Sequence, residues 1–107
     1  MTREEILNKQ AGPEMDFLVA KYYGISGAPS TDIVAAWHVV EMFAHTSRNK
    51  LAKEFNFSHF WIHAYPDGSW HCSLNYNNAG VVGCYAPSAP LAICRAALLA
   101  VMGDDND

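Results

Sequence analysis

The spacing of apolar residues changes twice along the chain, and each change marks a new kind of element. "TREE" at Thr2–Glu5 has capping-box spacing, with Thr2 placed to accept from the third helical amide and Glu5 to reach back, so a short helix is expected over 3–9. Pro13 suits the first position of a second helix, "PEMDFLVAKYY", in which Met15, Leu18, Val19 and Tyr22 recur at helical spacing before Gly24 ends it. "GISGAPS" reads as a loop. Ser30 or Thr31 then caps a third helix, where Asp32 suits the positive end of the dipole and Ile33, Ala36, Trp37, Val40, Phe43 and Ala44 form one stripe. "HTSRNKLAKE" reads as a solvated polar connector.

Beyond the connector the period shortens to two. In "HFWIHAYPDGSWHC", Pro66 presets a turn, Asp67 tolerates its second corner and Gly68 takes the left-handed position of a bulged three-residue loop. Tyr65 then pairs with Ser69, and the register follows: Ala64 faces Trp70, His63 faces His71, Ile62 faces Cys72, Trp61 faces Ser73, Phe60 faces Leu74 and His59 faces Asn75. One sheet face therefore carries Phe60, Ile62, Ala64, Trp70, Cys72 and Leu74, a core wall. The other carries His59, Trp61, His63, Tyr65, His71, Ser73 and Asn75. "GVVGCYA" is expected to return beside the second strand, with Cys84 near Cys72 on the core side and Tyr85 near His71 on the polar side. "APLAICRAALLAVM" opens with Pro90 at a helix start and is apolar nearly all round, the signature of a helix buried on more than one side.

The expected fold is α+β, in the order α-α-α-β-β-β-α with a three-stranded antiparallel meander. It forms a single domain over 1–107, ending in an acidic frayed tail at 103–107. Half of the 107 residues are hydrophobic, enough for one core, and a net charge of −4 offers no electrostatic grip on long nucleic acid. No signal-peptide core and no apolar run of about 20 residues is present, so no membrane partner is expected and the cytoplasm is the expected compartment. The three cysteines, Cys72, Cys84 and Cys94, lack C-x-x-C spacing and read as reduced thiols inside the domain.

Several chemistries can be weighed on these residues. His63 and His71 face each other with His59 two pleats away, but zinc wants three or four convergent ligands and Cys72 projects to the opposite face, so no metal is assigned. His71-Cys72-Ser73 fits the H-x-S element of two-histidine phosphoesterases, yet "HFW" and "HAY" do not supply the second copy such enzymes carry. No catalytic residue and no cofactor is assigned. Arg95 is the one charge between Pro87 and Met102, and a guanidinium on a buried helix calls for an anion: Asp16, Asp32 or Glu41 within the chain, or a ligand phosphate.

Three stretches, "AGPEMDFLVA" (11–20), "STDIVAAWHVVE" (30–41) and "APLAICRAALLAVM" (89–102), resemble the phage ABA sandwich domain family. The resemblance implies a helix-sheet-helix layered fold, an α-β-α layered sandwich, points to Trp37 and Arg95 as motif residues, and implies a phage protein acting inside a bacterium. With the polar face, it leads to an expected non-enzymatic, homo-oligomeric protein that binds and sequesters a nucleotide-derived bacterial immune signal, such as a cyclic nucleotide or ADP-ribose derivative. The expected ligand-binding residues are Trp61, His63, Tyr65, His71, Ser73, Asn75, Tyr85, Arg95 and Trp37. The alternatives are a module that blocks a host or phage protein through Trp61, and a His63/His71 phosphodiesterase.

Overall fold

A left-handed glycine pins the sheet. Gly68 has φ +93°, a conformation that costs a side-chain-bearing residue strain, and it closes the loop between Tyr65 and Ser69. The Tyr65 N–H donates to the Ser69 carbonyl (2.9 Å), and the Gly68 N–H donates to the Tyr65 carbonyl (3.0 Å). Asp67 Oδ1 accepts from the Ser69 N–H (2.9 Å) and hydroxyl (2.7 Å). These bonds, the backbone one foremost, hold the Asp67 carboxyl below the usual carboxylate range.

The computed structural model describes residues 3–49, 57–76 and 80–102, with side chains described over 3–42, 61–74 and 83–100. The turn joins β1 (Phe57–Ala64) to β2 (Trp70–Tyr76), and β3 (Gly80–Ala86) lies on the far side of β2 in the antiparallel order β1-β2-β3. The expected register holds: His63 pairs with His71, Ile62 with Cys72, Trp61 with Ser73, and a register shift intervenes only between Phe57 and His59. The third strand follows suit, with Cys72 opposite Cys84 and His71 opposite Tyr85.

Cys72, Leu74, Cys84 and Ala86 are buried on one face, and Ile62 and Trp70 pack partly buried against them. Ala64, placed on the same wall by parity, is exposed because it lies at the hairpin tip, beyond the reach of the helices. The wall is covered by α4 (Ala89–Met102), which lies on β2 and β3 and is buried at every position from Leu91 to Ala100. Around α4 gather α3 (Ile33–Asn49), α2 (Pro13–Tyr23) and α1 (Arg3–Asn8). The result is the expected layered α+β arrangement. Helix and sheet are stitched by the Cys84 thiol donating to the Ala92 carbonyl (3.4 Å), and α2 and α4 by the Tyr23 hydroxyl donating to the Ala97 carbonyl (2.7 Å).

Four local expectations are corrected. The cap of α3 is Asp32, whose Oδ1 accepts from the Val34 N–H (3.0 Å). Ser30 is instead buried, its N–H donating to Asp16 Oδ1 (2.8 Å) and its hydroxyl oxygen accepting from the Gly12 N–H (2.9 Å). The inward stripe of α3 is Ala35, Ala36, Val39 and Val40, which rotates Ile33 and Trp37 out to 50% and 48% exposure. In α2, Tyr23 rather than Tyr22 turns to the core, and residues 45–49 of the supposed connector continue α3, since no glycine or proline there stops a helix. Thr2, the side chains of Phe43 and Ala44, the rest of the connector and the 103–107 tail lie outside the described residues.

The three thiols are free and buried. Burial pushes Cys84 and Cys94 up to about 12 and raises Cys72 as well, because a thiolate in hydrocarbon lacks its hydration. A group whose pKa is raised on folding stabilises fully below its unfolded pKa and loses that contribution as pH rises toward its folded value. Denaturant unfolding should therefore give a level stability up to about pH 8.5, then a fall of up to about 1.4 kcal/mol per pH unit for each thiol. A level profile up to about pH 11 would contradict the burial of these groups.

Candidate functional site on the polar sheet face

The pleat that buries Cys72 and Cys84 sends Trp61, His63, Tyr65, His71, Ser73 and Tyr85 to the other side of the sheet. Their surroundings differ. Trp61, Tyr65 and Tyr85 are 36%, 40% and 59% exposed, His63 is exposed, His71 is half-buried and Ser73 is buried. Asn75 and His59 occupy the register positions that parity requires, but their side chains lie outside the described residues.

His71 is the most firmly held of the set. Its ring centroid lies 4.5 Å from that of Tyr85 at an interplanar angle of 56°, and its Nδ1 lies 3.4 Å from Ser73 Oγ. Underneath is Gly83, the register partner of Ser73. A Cβ on Gly83 would stand 3.0 Å from His71 Cε1 and Nε2 and 3.3 Å from Ser73 Oγ, closer than packed side chains tolerate, so the imidazole lies across the strand only because that position is glycine. Sequence reasoning passed over Gly83, although a glycine inside a strand is a standard sign of close approach by another group.

Tyr85 also gathers Tyr65, with ring centroids 5.8 Å apart at 47°. Hydrogen bonding with Tyr85, aided by lost hydration, raises the pKa of the Tyr65 phenol above its ordinary value. Tyr65, Tyr85 and His71 thus present two phenol rings and an imidazole, with Ser73 buried beside the imidazole. Such a surface can stack a flat ring and donate to its polar substituents.

Arg95 and Trp37 do not join this face; both belong to helices on the apolar side of the sheet. The anionic partner expected for Arg95 is replaced by main-chain oxygens: Nε (3.1 Å) and Nη2 (2.8 Å) donate to the Lys9 carbonyl, and Nη1 (3.0 Å) donates to the Tyr85 carbonyl. Asp16, one of the acids named for that role, accepts from Ser30 instead. Burial lowers the Arg95 pKa from its ordinary value. Its geometry makes it a clamp between the α1–α2 corner and the outer strand β3. That corner also borders an open cleft of about 640 Å³ lined by Glu4, Glu5, Asn8 and Gln10, with Lys9 paired to Glu14 at 2.6 Å. Among the described residues, no group of three His, Cys, Asp or Glu is placed to hold a metal ion.

Comparison with known families settles the wider kinship. A family model described as the phage ABA sandwich domain matches residues 20–98, most of the chain. The chain belongs to that family. It is thus a phage protein by kinship, and this ABA sandwich domain has no described helix long and apolar enough to cross a membrane. Comparisons with curated proteins and with solved structures found no match. The family match covers α3, the whole sheet and most of α4.

Two outcomes follow from these contacts. Arg95→Leu strands two carbonyls and should lower the unfolding free energy by about 2–3 kcal/mol in urea titration. A change within about 0.5 kcal/mol would mean that the clamp is dispensable. Gly83→Ala should leave the helical circular dichroism intact while shifting the His71 ring resonances in NMR spectra, whereas unmoved resonances would contradict the close packing of that ring.

Proposed function

We propose that this phage ABA sandwich domain binds and sequesters a nucleotide-derived small molecule on its polar sheet face, without cleaving it, inside the infected bacterium. The observation that carries this reading is the row of Tyr65, Tyr85 and His71, with His71 held by Gly83 and Ser73. A base has a π-face for the tyrosines, and its ribose and phosphate supply acceptors for hydroxyl and imidazole donors. Trp61, His63 and Asn75 extend the same face by register. The ligand class fits the kinship with phage proteins, since a nucleotide immune signal is a molecule that a phage gains by removing.

Sequestration is favoured over catalysis by the state of the nucleophiles. The thiols are buried with raised pKa values, which leaves little thiolate to attack a phosphorus or carbon centre. A single domain also has little concave surface on this face, so a border with another copy would help to enclose the ligand.

Calorimetric titration with adenine nucleotides, cyclic dinucleotides and cyclic ADP-ribose tests the proposal. Binding to one class is expected, weakened roughly 5- to 100-fold by Tyr85→Ala, and the nucleotide should be recovered chemically intact on heat denaturation. No heat with any class would overturn the reading, and a new product on chromatography would replace sequestration with hydrolysis.

A further inference from the structure

Tyr85 stands where a strand has little to hold it in place. It is the penultimate residue of β3, at the margin of the order β1-β2-β3, and Pro87 just beyond has no N–H with which to prolong the ladder. Successive residues of an antiparallel strand direct their backbone polar groups alternately toward a neighbour and away from it. The alternation runs from the turn: Tyr65 and Ser69 are hydrogen-bonded, so His71 bonds toward β1 and Cys72 toward β3, which leaves Cys84 bonded to β2 and Tyr85 turned outward. The ladder therefore does not hold the Tyr85 carbonyl.

α4 holds it instead. The carbonyl accepts from Arg95 Nη1 (3.0 Å), while Nε (3.1 Å) and Nη2 (2.8 Å) of the same guanidinium donate to the Lys9 carbonyl. Arg95 is 7% exposed between the fully buried Cys94 and Ala96, so its stem has no room to swing. The preceding strand residue is also tied to α4, through the Cys84 thiol and the Ala92 carbonyl (3.4 Å). A strand tied only by its inward side chain can roll about its own axis, whereas a second tie at its outer carbonyl stops the roll. The Tyr85 ring stands well off that axis, so even a small roll would disturb its 4.5 Å approach to His71 and its 5.8 Å approach to Tyr65.

We propose that Arg95 is a positioning residue of the polar sheet face: by holding the Tyr85 carbonyl from the sheet margin, it sets the direction in which the Tyr85 ring meets His71 and Tyr65. Its effect on ligand affinity rests on the proposed function; its effect on ring placement does not.

NMR spectroscopy of the ligand-free protein tests the placement. In the wild type, the Arg95 guanidinium protons should give resolved, slowly exchanging signals with nuclear Overhauser effects to the Tyr85 backbone. Arg95→Met keeps an apolar stem but no donor, and at native circular dichroism it should lose the effects between the Tyr85 and His71 rings. Val39→Ala, a core truncation in α3, controls for loss of stability alone and should keep them. Retention in Arg95→Met, an equal loss in Val39→Ala, or a freely exchanging guanidinium in the wild type would each overturn the proposal. The wild-type signals decide the matter alone if Arg95→Met does not fold. With a nucleotide that the wild type binds, Arg95→Met should weaken affinity roughly fivefold or more, with no further loss when added to Tyr85→Ala. Losses that add would overturn the route through Tyr85. A wild type that binds no nucleotide removes the proposed function and leaves ring placement to be decided by the spectra.

Discussion

Strand parity through the Pro66–Gly68 turn is the constraint from which the remaining structure follows. Once Tyr65 pairs with Ser69, every residue of β1 and β2 is assigned a face, because side chains alternate and a slip of one position would exchange the two sets completely. The assignment is enforced energetically. A slipped register would turn Cys72 and Leu74 into water and drive His71 into hydrocarbon, losing apolar burial and stranding a polar ring. Cys84, opposite Cys72, and Ala86, opposite Trp70, carry the same division of faces to β3.

The buried face in turn selects α4. A helix in contact with strands on one side and three helices elsewhere has no polar stripe to spare, and "LAICRAALLA" provides none except Arg95. The guanidinium satisfies main-chain oxygens at two places where regular pairing ends, the corner after α1 and the outer strand β3. Capping a carbonyl on an edge strand also blunts a surface on which another strand could pair. Arg95 thereby links the apolar side of the fold to the backbone of Tyr85, whose ring lies on the polar face, although the Arg95 side chain never reaches that face.

Turn chemistry and period-two alternation made the sheet legible: the β1–β2 register and both of its faces follow from "YPDG" and its flanks, and Cys84 beside Cys72 follows from the return of "GVVGCYA" along β2. The helices were legible in place but not in rotation. Reading α3 by its largest apolar residues selects Ile33 and Trp37, whereas close approach to α4 favours small ones, and Ala35 and Ala36 face inward. Tyr22 and Tyr23 were ambiguous for a related reason: either can follow Val19 on a helix, and only the Ala97 carbonyl as a partner decides between them. The partners of Arg95 were invisible because main-chain acceptors leave no mark in composition. Most of the candidate site was visible as a shared face, but the element that fixes His71 is an absent side chain at Gly83.

Mass-spectrometric footprinting of the native protein measures directly which side chains each sheet face shows to solvent. Brief treatment with an imidazole-acylating reagent should modify His63, while iodoacetamide leaves Cys72, Cys84 and Cys94 unlabelled until denaturant is added. Rapid native alkylation of Cys72 together with protection of His63 would mean that the faces are exchanged, and would contradict the architecture and everything built on it.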